Sequence, residues 1–483
     1  MNALKKTLSI FIALVLILLP MAFLCVAAIL LPDPYEKSFV GALDEKYDLL
    51  MNTQGEKIII VGGSSVAFGV RSDIIEEYTD MPVVNFGLYA ALGTKLMLDL
   101  SRQAVGEGDI VIVTPELNEQ TLSLYFNSRM TLRAISGRAD MFLALPTDDK
   151  LSLLSALWDY TAEKLEYYIM GINGSSGTLN PTGVYNADNF NRWGDLVYER
   201  SENIMPSYYD ANNMISPVAD IISDEFIDYL NEYVAYCENR GATVYFNFCP
   251  MNEMGFLGGY DEEALSSFAD YLESVIDCDL IGTPMGSVLG AGYFYDTNFH
   301  LGDAGAIKYT ARLTEDILFE LDIPRAVTLD IPDEPALPLF DSYLDVYDEN
   351  EKYFIFEQLP DGSYAISGLT ELGMAAQKLT VPIAHNSRRV TRISQNALVG
   401  ISAGSLVITE DTSLRAIADG AFSGAGTLTD LWIYFKSEEL LLPPSSFIGV
   451  PLGFTVHIPE NSGYASGYYW GERGLNFVYD ANE

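Results

Sequence analysis

Two adjacent serines lie where a strongly apolar run ends in a glycine-rich turn. The segment Ile58–Gly69 reads IIIVGGSSVAFG, so Ser64 and Ser65 follow Gly63 in a predicted strand–turn–helix. A serine at such a turn can act as a nucleophile when a base removes its proton and nearby donors receive an oxyanion. A phosphate-binding turn is disfavoured because the lysine of a P-loop is missing, and only Gly63 and Gly69 approach the dinucleotide fingerprint.

The chain contains only three histidines, which narrows the choice of a base. His385 and His457 lie in a repetitive C-terminal region, so His300 is the only histidine of the region that carries the serines. Asp296 precedes it by four residues, a spacing that lets a carboxylate orient one ring nitrogen while the other faces a serine. The alternative is a surface histidine beside Asp303, which would cap the following helix.

The elements that must position these residues form an alternating pattern. Residues 57–321 alternate short apolar runs with helical periodicity, which predicts an α/β domain with a mostly parallel sheet. The predicted strands are Lys57–Val61, Val83–Phe86, Ile110–Thr114 and Val244–Phe248. The predicted helices are Leu92–Val105, Ile221–Arg240, Glu262–Ile276 and Ala304–Leu321.

Between residues 120 and 213 this pattern weakens and aromatic side chains accumulate, among them Trp158, Tyr185 and Trp193. An insertion between two strands of an open sheet lies above the strand carboxyl ends, where such sheets bind ligands. The insertion is therefore expected to form either a lid over the site or a cap whose aromatic residues are simply core.

The order and spacing of these segments resemble the SGNH (GDSL-type) hydrolase superfamily. The motifs are the Gly-Ser-Ser turn that ends at Gly69, the block Asn85–Gly87, and the segment Asp296–His300 before the last helix. The resemblance covers residues 57–321. It implies a flavodoxin-like three-layer α/β/α domain with a parallel sheet, which works without a metal or a cofactor.

The resemblance also assigns catalytic roles. Ser65 would be the nucleophile, His300 the base and Asp296 the acid that orients it. Ser64 stands where many members have aspartate. The family therefore implies a Ser-His-Asp triad and an acyl-enzyme mechanism.

The oxyanion donors follow from the same resemblance. They would be the backbone N–H groups of Ser65 and Gly87. The third block of the family, Gly-x-Asn, has no clear equivalent in residues 110–118. Asn118 would supply the third donor, or Glu116 would occupy that position instead.

The closer resemblance is to the extracytoplasmic, singly anchored branch that serves teichoic-acid D-alanylation and alginate O-acetylation. Its members share an N-terminal membrane helix, the Gly-Ser-Ser turn and a large insertion. This implies a serine esterase or O-acyltransferase that acts on an acylated cell-surface glycan or teichoic-type polymer. The competing hypothesis is a surface-displayed binding protein in which the α/β domain is inactive.

The N-terminal segment Leu8–Leu31 is uncharged and would span a hydrocarbon core of about 30 Å as a helix. Lys5 and Lys6 precede it, which places that end in the cytoplasm. A cleaved signal peptide is the alternative, although its apolar stretch is usually about 7–15 residues. We expect residues 1–35 to form a cytoplasmic tip and a single-pass anchor of a bacterial cell membrane, with the remaining chain outside.

The composition excludes several functions. Lys and Arg number 27 and Asp and Glu number 67, which gives a net charge of −40. A surface of this sign repels phosphate backbones, so nucleic-acid binding is excluded. The four cysteines have no paired metal spacing, which argues against a zinc ribbon or a disulfide scaffold.

The C-terminal part contains a repeat. The segments Asn396–Gly400, Gly420–Gly424 and Ser445–Gly449 recur at spacings of 24 and 25 residues, and a short alternating strand follows each. One strand and one turn per unit is typical of a solenoid. The repeats resemble BspA-like leucine-rich repeats, which implies a face for a protein or glycan partner or a small spacing domain. The expected domains are 36–325, a connecting segment 326–364, and the repeats 365–483.

Overall fold

A computed structural model provides the structure of this protein. The residues that it describes are 16, 19–172, 183–205, 208–210, 213–337, 342, 344, 346–359, 361–418, 420–434, 440, 444–447, 450–451, 454–459, 476–478 and 481. Residues 1–15, 17 and 18 of the predicted anchor segment lie outside this range, and residues 19–30 are helical. Within the described part, no helix has the length and apolarity that crossing a membrane requires.

Five parallel strands form the central sheet of the region before residue 322. In chain order they are β1 (Ile58–Gly62), β2 (Val83–Gly87), β3 (Ile110–Thr114), β4 (Thr243–Phe246) and β6 (Asp279–Leu280). Their order across the sheet is β2-β1-β3-β4-β6, and every neighbouring pair is parallel. A separate two-stranded sheet pairs β5 (Met251–Asn252) with β7 (Val288–Leu289). Four of the five central strands lie where the sequence predicts them.

Helices surround this sheet. They are α1 (Ala42–Asn52), α2 (Ser64–Gly69), α3 (Ser72–Thr79), α4 (Thr94–Ser101), α5 (Ser128–Ala134), α6 (Ala139–Ala144), α7 (Thr147–Ile172), α8 (Asp224–Glu238), α9 (Glu262–Val275) and α10 (Asp303–Glu320). The predicted helices correspond to α4, α8, α9 and α10, with ends that differ by a few residues. The insertion contains α5, α6 and α7, which the sequence pattern does not resolve.

The strands are buried on both faces because helices cover each side. Side chains alternate along a strand. Ile59 and Val61 therefore join the core packed against α1, α4, α8 and α9. Ile58 and Ile60 point the other way into a core that contains Tyr309 and other residues of α10. A parallel sheet with helices on both faces is the fold class that the sequence predicts.

The segment after α10 packs on the α/β region. Val327 and Leu329 contact a small core with Ile74 and Leu318. The Glu334 carboxylate accepts a hydrogen bond from the backbone N–H of Gly292 at 2.8 Å. Residues 326–337, the first third of the expected connecting segment, therefore form an extended segment that packs on the α/β region.

The C-terminal region contains two further sheets. Its elements are β8 (Phe354–Gln358), β9 (Tyr364–Leu369), α11 (Glu371–Ala375), β10 (Lys378–Thr380), β11 (Ala384–His385), β12 (Arg388–Ile393), β13 (Ser405–Ile408), β14 (Ala416–Ile417), β15 (Asp430–Ile433), β16 (Thr455–His457) and β17 (Asn476–Val478). One sheet has the order β10-β13-β15-β16-β17 and is parallel throughout. The other has the order β11-β12-β9-β8, with β14 paired to β12.

The repeat spacing explains the first of these sheets. Ser405, Asp430 and Thr455 pair in register, so each strand stacks on its equivalent 25 residues away. The β8–β9 hairpin already belongs to this region, so its strands begin at Phe354, before the expected boundary at residue 365.

Candidate active site

A hydrogen-bonded chain of three side chains lies at the carboxyl end of β1. The Oγ atom of Ser64 is 2.8 Å from Nε2 of His300, and Nδ1 of His300 is 2.7 Å from Oδ1 of Asp296. All three side chains are nearly buried, with exposed fractions of 3–5%. This geometry allows Ser64 to pass its proton to an imidazole that a carboxylate holds in place.

The prediction that His300 faces Ser65 is wrong. Ser64 is the first residue of α2, directly after Gly63, and Ser65 is turned by about 100° around the helix axis. The hydroxyl of Ser65 is fully buried and has no hydrogen-bond partner within the described part of the chain. The choice between adjacent serines depends on helix phase, which composition and spacing do not reveal.

The loop that carries His300 is fixed from several sides. The hydroxyl of Thr297 accepts hydrogen bonds from the backbone N–H groups of Phe299 and His300. The ring of Phe68, which belongs to α2, stacks on the imidazole with centroids 3.9 Å apart. The guanidinium of Arg200 lies 5.1 Å from the Phe68 centroid and donates to the Leu301 carbonyl. The imidazole orientation is therefore set by packing as well as by Asp296.

A fourth side chain, that of Tyr185, extends the hydrogen-bonded series beyond Asp296. The hydroxyl of Tyr185 donates to Oδ2 of Asp296 at 2.5 Å. Burial, reinforced by the Asp296 charge, raises the pKa of Tyr185 well above its usual range, so this hydroxyl stays protonated and remains a donor. The sequence signal was only the aromatic content of the insertion, and no spacing rule connects Tyr185 to a residue 111 positions later.

Glu116 lies against the two serines. Its Oε1 atom accepts a hydrogen bond from the backbone N–H of Ser65 at 2.8 Å and lies 3.1 Å from Oγ of Ser64. This approach requires glycine at residue 63, because a Cβ atom there would come within 2.8 Å of the same oxygen. Glu116 is 3% exposed. Of the two alternatives for the third block, the structure places Glu116, and not Asn118, beside the serines.

The expected oxyanion donors are engaged elsewhere. The N–H of Ser65 donates to Glu116, and the N–H of Gly87 donates to Oδ1 of Asn85 at 3.1 Å. Oδ1 of Asn118 accepts from the backbone N–H of Thr121. In this structure the predicted donors are therefore bonded to other groups of the protein, which is not the arrangement that the resemblance implies.

Two buried charged side chains, Lys46 and Asp195, support the strand that ends at Gly87. Asn85 donates to Oδ1 of Asp195 at 3.0 Å, and Asp195 also accepts from the backbone N–H and the hydroxyl of Ser72. The ammonium group of Lys46 donates to the carbonyls of Asn85 and Gly194. Burial lowers the pKa of Lys46 to about 7. No sequence pattern predicts this cluster, because its members come from α1, α3, β2 and the insertion.

The insertion reaches the site through Tyr185 and not through its tryptophans. The indole N–H of Trp193 donates to the carboxylate of Glu76. The backbone carbonyl of Trp193 accepts a hydrogen bond from the backbone N–H of Asn85. Trp158 lies on α7 with 42% of its surface exposed. Among the described residues, no hydrogen bond or ring contact joins either tryptophan to the triad. The two tryptophans therefore give no support to the expectation that the aromatic residues of the insertion form a lid over the site.

No group of three or more metal-ligating side chains occurs among the described residues. No protein-family model matches this chain, and no curated protein is similar to it. The site must therefore be interpreted from its own geometry.

Proposed function

We propose that this protein is a serine esterase or O-acyltransferase that works through an acyl-enzyme on Ser64. The observation that carries the proposal is the unbroken chain from Ser64 through His300 to Asp296. A serine, an imidazole and a carboxylate in this order are the elements of acyl transfer on several unrelated folds. Asp296 and His300 keep the roles that the resemblance gives them, whereas the nucleophile moves from Ser65 to Ser64.

The architecture favours the same assignment. The strand order β2-β1-β3-β4-β6 corresponds to the flavodoxin-like order of open parallel sheets, which bind ligands outside the strand carboxyl ends. Ser64 follows β1 and Glu116 follows β3, so both lie at that edge. This agrees with an SGNH-type domain, the family that the motifs resemble.

The chemistry would proceed in two balanced steps. Oγ of Ser64 attacks an acyl carbon while its proton moves to Nε2 of His300. The imidazolium then protonates the leaving alcohol as the carbon–oxygen bond breaks. Water or an acceptor hydroxyl then gives its proton to His300 and attacks the acyl carbon, and the imidazolium returns a proton to Oγ of Ser64 as the bond between the acyl carbon and Oγ breaks. Asp296 keeps Nδ1 protonated and stabilises the imidazolium.

The remaining parts of the chain suggest where this chemistry takes place. The apolar N-terminal segment would anchor the protein in a bacterial cell membrane, with the α/β domain outside. The C-terminal parallel sheet β10-β13-β15-β16-β17 fits BspA-like leucine-rich repeats, which would hold a protein or glycan partner. An acylated cell-surface polysaccharide or teichoic-type polymer is the substrate class consistent with this placement. Neither a metal nor a cofactor takes part in the proposed reaction.

A second candidate function is surface binding with an inactive α/β domain. The observation in its favour is that the N–H groups of Ser65 and Gly87 are both bonded within the protein. The binding face would be the side of the β10-β13-β15-β16-β17 sheet that points away from its apolar core. On that side the rings of Trp432 and His457 stack with centroids 3.6 Å apart.

Labelling with a fluorophosphonate distinguishes the two functions. The full chain should be labelled at Ser64, and labelling should disappear in Ser64→Ala. Ser65→Ala is the matched control, because it removes the neighbouring hydroxyl, which has no partner in the described part, and should leave labelling intact. Loss of labelling in Ser65→Ala alone would return the nucleophile to Ser65. A folded protein that no fluorophosphonate labels would favour the binding function.

A further inference from the structure

The position of Glu116 has a consequence for the free enzyme. An acyl-transfer site needs donors aimed at the place where negative charge develops. The backbone N–H of Ser65, which adjoins the proposed nucleophile, already donates to Oε1 of Glu116 at 2.8 Å. The carboxylate oxygen therefore sits where the oxyanion of a tetrahedral intermediate would accept that hydrogen bond.

Glu116 also competes for the proton of the nucleophile. Ser64 has one hydroxyl proton, and its Oγ lies 2.8 Å from Nε2 of His300 and 3.1 Å from Oε1 of Glu116. When that proton points to Glu116, it is not shared with His300, and the serine is not activated. A carboxylate so close to a developing oxyanion would in addition repel it, because like charges in a water-poor site interact strongly.

We propose that Glu116 is a gate that keeps the acyl-transfer site in a low-activity state until substrate displaces its carboxylate. This inference rests on the proposed function of Ser64. It names a regulatory contact within the same site: the carbonyl oxygen of an acyl group must replace Oε1 of Glu116 on the N–H of Ser65. The near-complete burial of Ser64 and Glu116 fits a closed resting state.

The gate predicts that removal of the carboxylate activates the enzyme. Glu116→Ala frees the N–H of Ser65, and Glu116→Gln replaces the charge with an amide whose N–H can itself donate to an oxyanion. One such donor is typically worth about 10²–10³ in rate. We therefore expect both variants to hydrolyse a neutral aryl ester at least about tenfold faster than the original chain, with Glu116→Gln the faster of the two.

Asp109→Asn is the matched control. Asp109 is as buried as Glu116. It lies just before strand β3, whereas Glu116 lies just after that strand, and its carboxylate accepts a hydrogen bond from the ammonium group of Lys57. Its replacement should leave the ester rate unchanged. The double variant Ser64→Ala/Glu116→Gln should lose the gained activity, which ties the gain to the nucleophile.

Two outcomes are distinguishable. If Ser64 is labelled by a fluorophosphonate but both folded Glu116 variants are no faster than the original chain, the gate is wrong and the acyl-transfer function stands. If neither the original chain nor the Glu116 variants are labelled, the proposed function fails, and the gate fails with it.

A structure of the phosphonylated protein tests the gate without any variant. The phosphonyl oxygen should accept the hydrogen bond of the Ser65 N–H, with the Glu116 carboxylate moved away. A carboxylate still bonded to that N–H in the adduct would overturn the proposal.

Discussion

The α/β region and the repeat region bury different kinds of groups. The first encloses charged side chains with polar partners, such as Lys57 with Asp109 at 2.8 Å and Lys46 with the carbonyls of Asn85 and Gly194. The second stacks equivalent apolar residues, such as Leu406 and Leu431, in neighbouring strands of one ladder. A substitution in the first region leaves a charge without its partner, whereas one in the second leaves a cavity. The first arrangement holds charged and polar side chains at fixed angles, which acyl transfer needs.

The largest expected effect separates chemistry from stability within the α/β region. Asp296→Asn should lower turnover on an aryl ester by up to about 10⁴, because the amide no longer selects the tautomer in which Nδ1 of His300 carries the proton. The shape of the side chain is kept, so the melting temperature should change little. Both quantities can be measured on the same purified protein.

Asp303→Asn is the control for that prediction. Asp303 is the first residue of α10, where its carboxylate accepts from the backbone N–H of Arg200, and Gly302 takes the cap position. Its replacement should affect stability slightly and turnover hardly at all. Activity lost in Asp303→Asn but kept in Asp296→Asn would show that the orienting acid is wrongly assigned.

The second effect tests the claim that buried charges make the α/β region vulnerable. Asp195→Ala removes the carboxylate that holds Asn85 and Ser72, and with it the negative charge that acts on the buried Lys46. We expect the free energy of unfolding in urea to fall by about 3–5 kcal/mol. Adding Lys46→Met should restore part of the loss, because the isolated charge is then gone. An Asp195→Ala protein as stable as the original would contradict the comparison.

The third effect addresses the repeat region. Phe422 is fully buried and stacks on Phe447 with centroids 5.0 Å apart. Phe422→Ala should destabilise this region by about 3–5 kcal/mol through the cavity that it creates. The ester rate should remain unchanged at temperatures where the repeats are still folded. A parallel loss of ester activity at such temperatures would indicate that the two regions are coupled.

The difference between the regions also explains what the sequence could predict. Period and spacing located β13, β15 and β16, and four strands of the central sheet, because repeated burial leaves a repeated apolar pattern. His300 and Asp296 were accessible because one histidine remained after elimination. β6 was missed because a strand of two residues is too short for any pattern to emerge.

The finer geometry of the site was not accessible from the sequence. The position of Ser64 depends on one residue of helix phase, and that of Glu116 depends on the contact between two strand ends. Tyr185 comes from an insertion whose fold has no sequence period. Each of these contacts is created by tertiary packing, so sequence spacing carries no record of it.

The smallest expected effect concerns Tyr185, which acts through Asp296 and is therefore a positioning residue. Tyr185→Phe keeps the ring among its aromatic neighbours and removes only the hydroxyl that donates to Oδ2 of Asp296. A hydrogen bond to a charged group contributes about 1.5–3 kcal/mol. About 1.4 kcal/mol of this, if lost from the transition state, lowers turnover roughly tenfold, which is the effect we expect. The loss should appear in kcat with little change in KM, because Tyr185 acts on Asp296 and not on bound substrate, and a merely structural role would not produce this split. Tyr198→Phe, which changes another half-buried tyrosine of the insertion, should leave both kcat and KM unaltered. A Tyr185→Phe protein with reduced stability but an unchanged kcat would assign Tyr185 to the core alone.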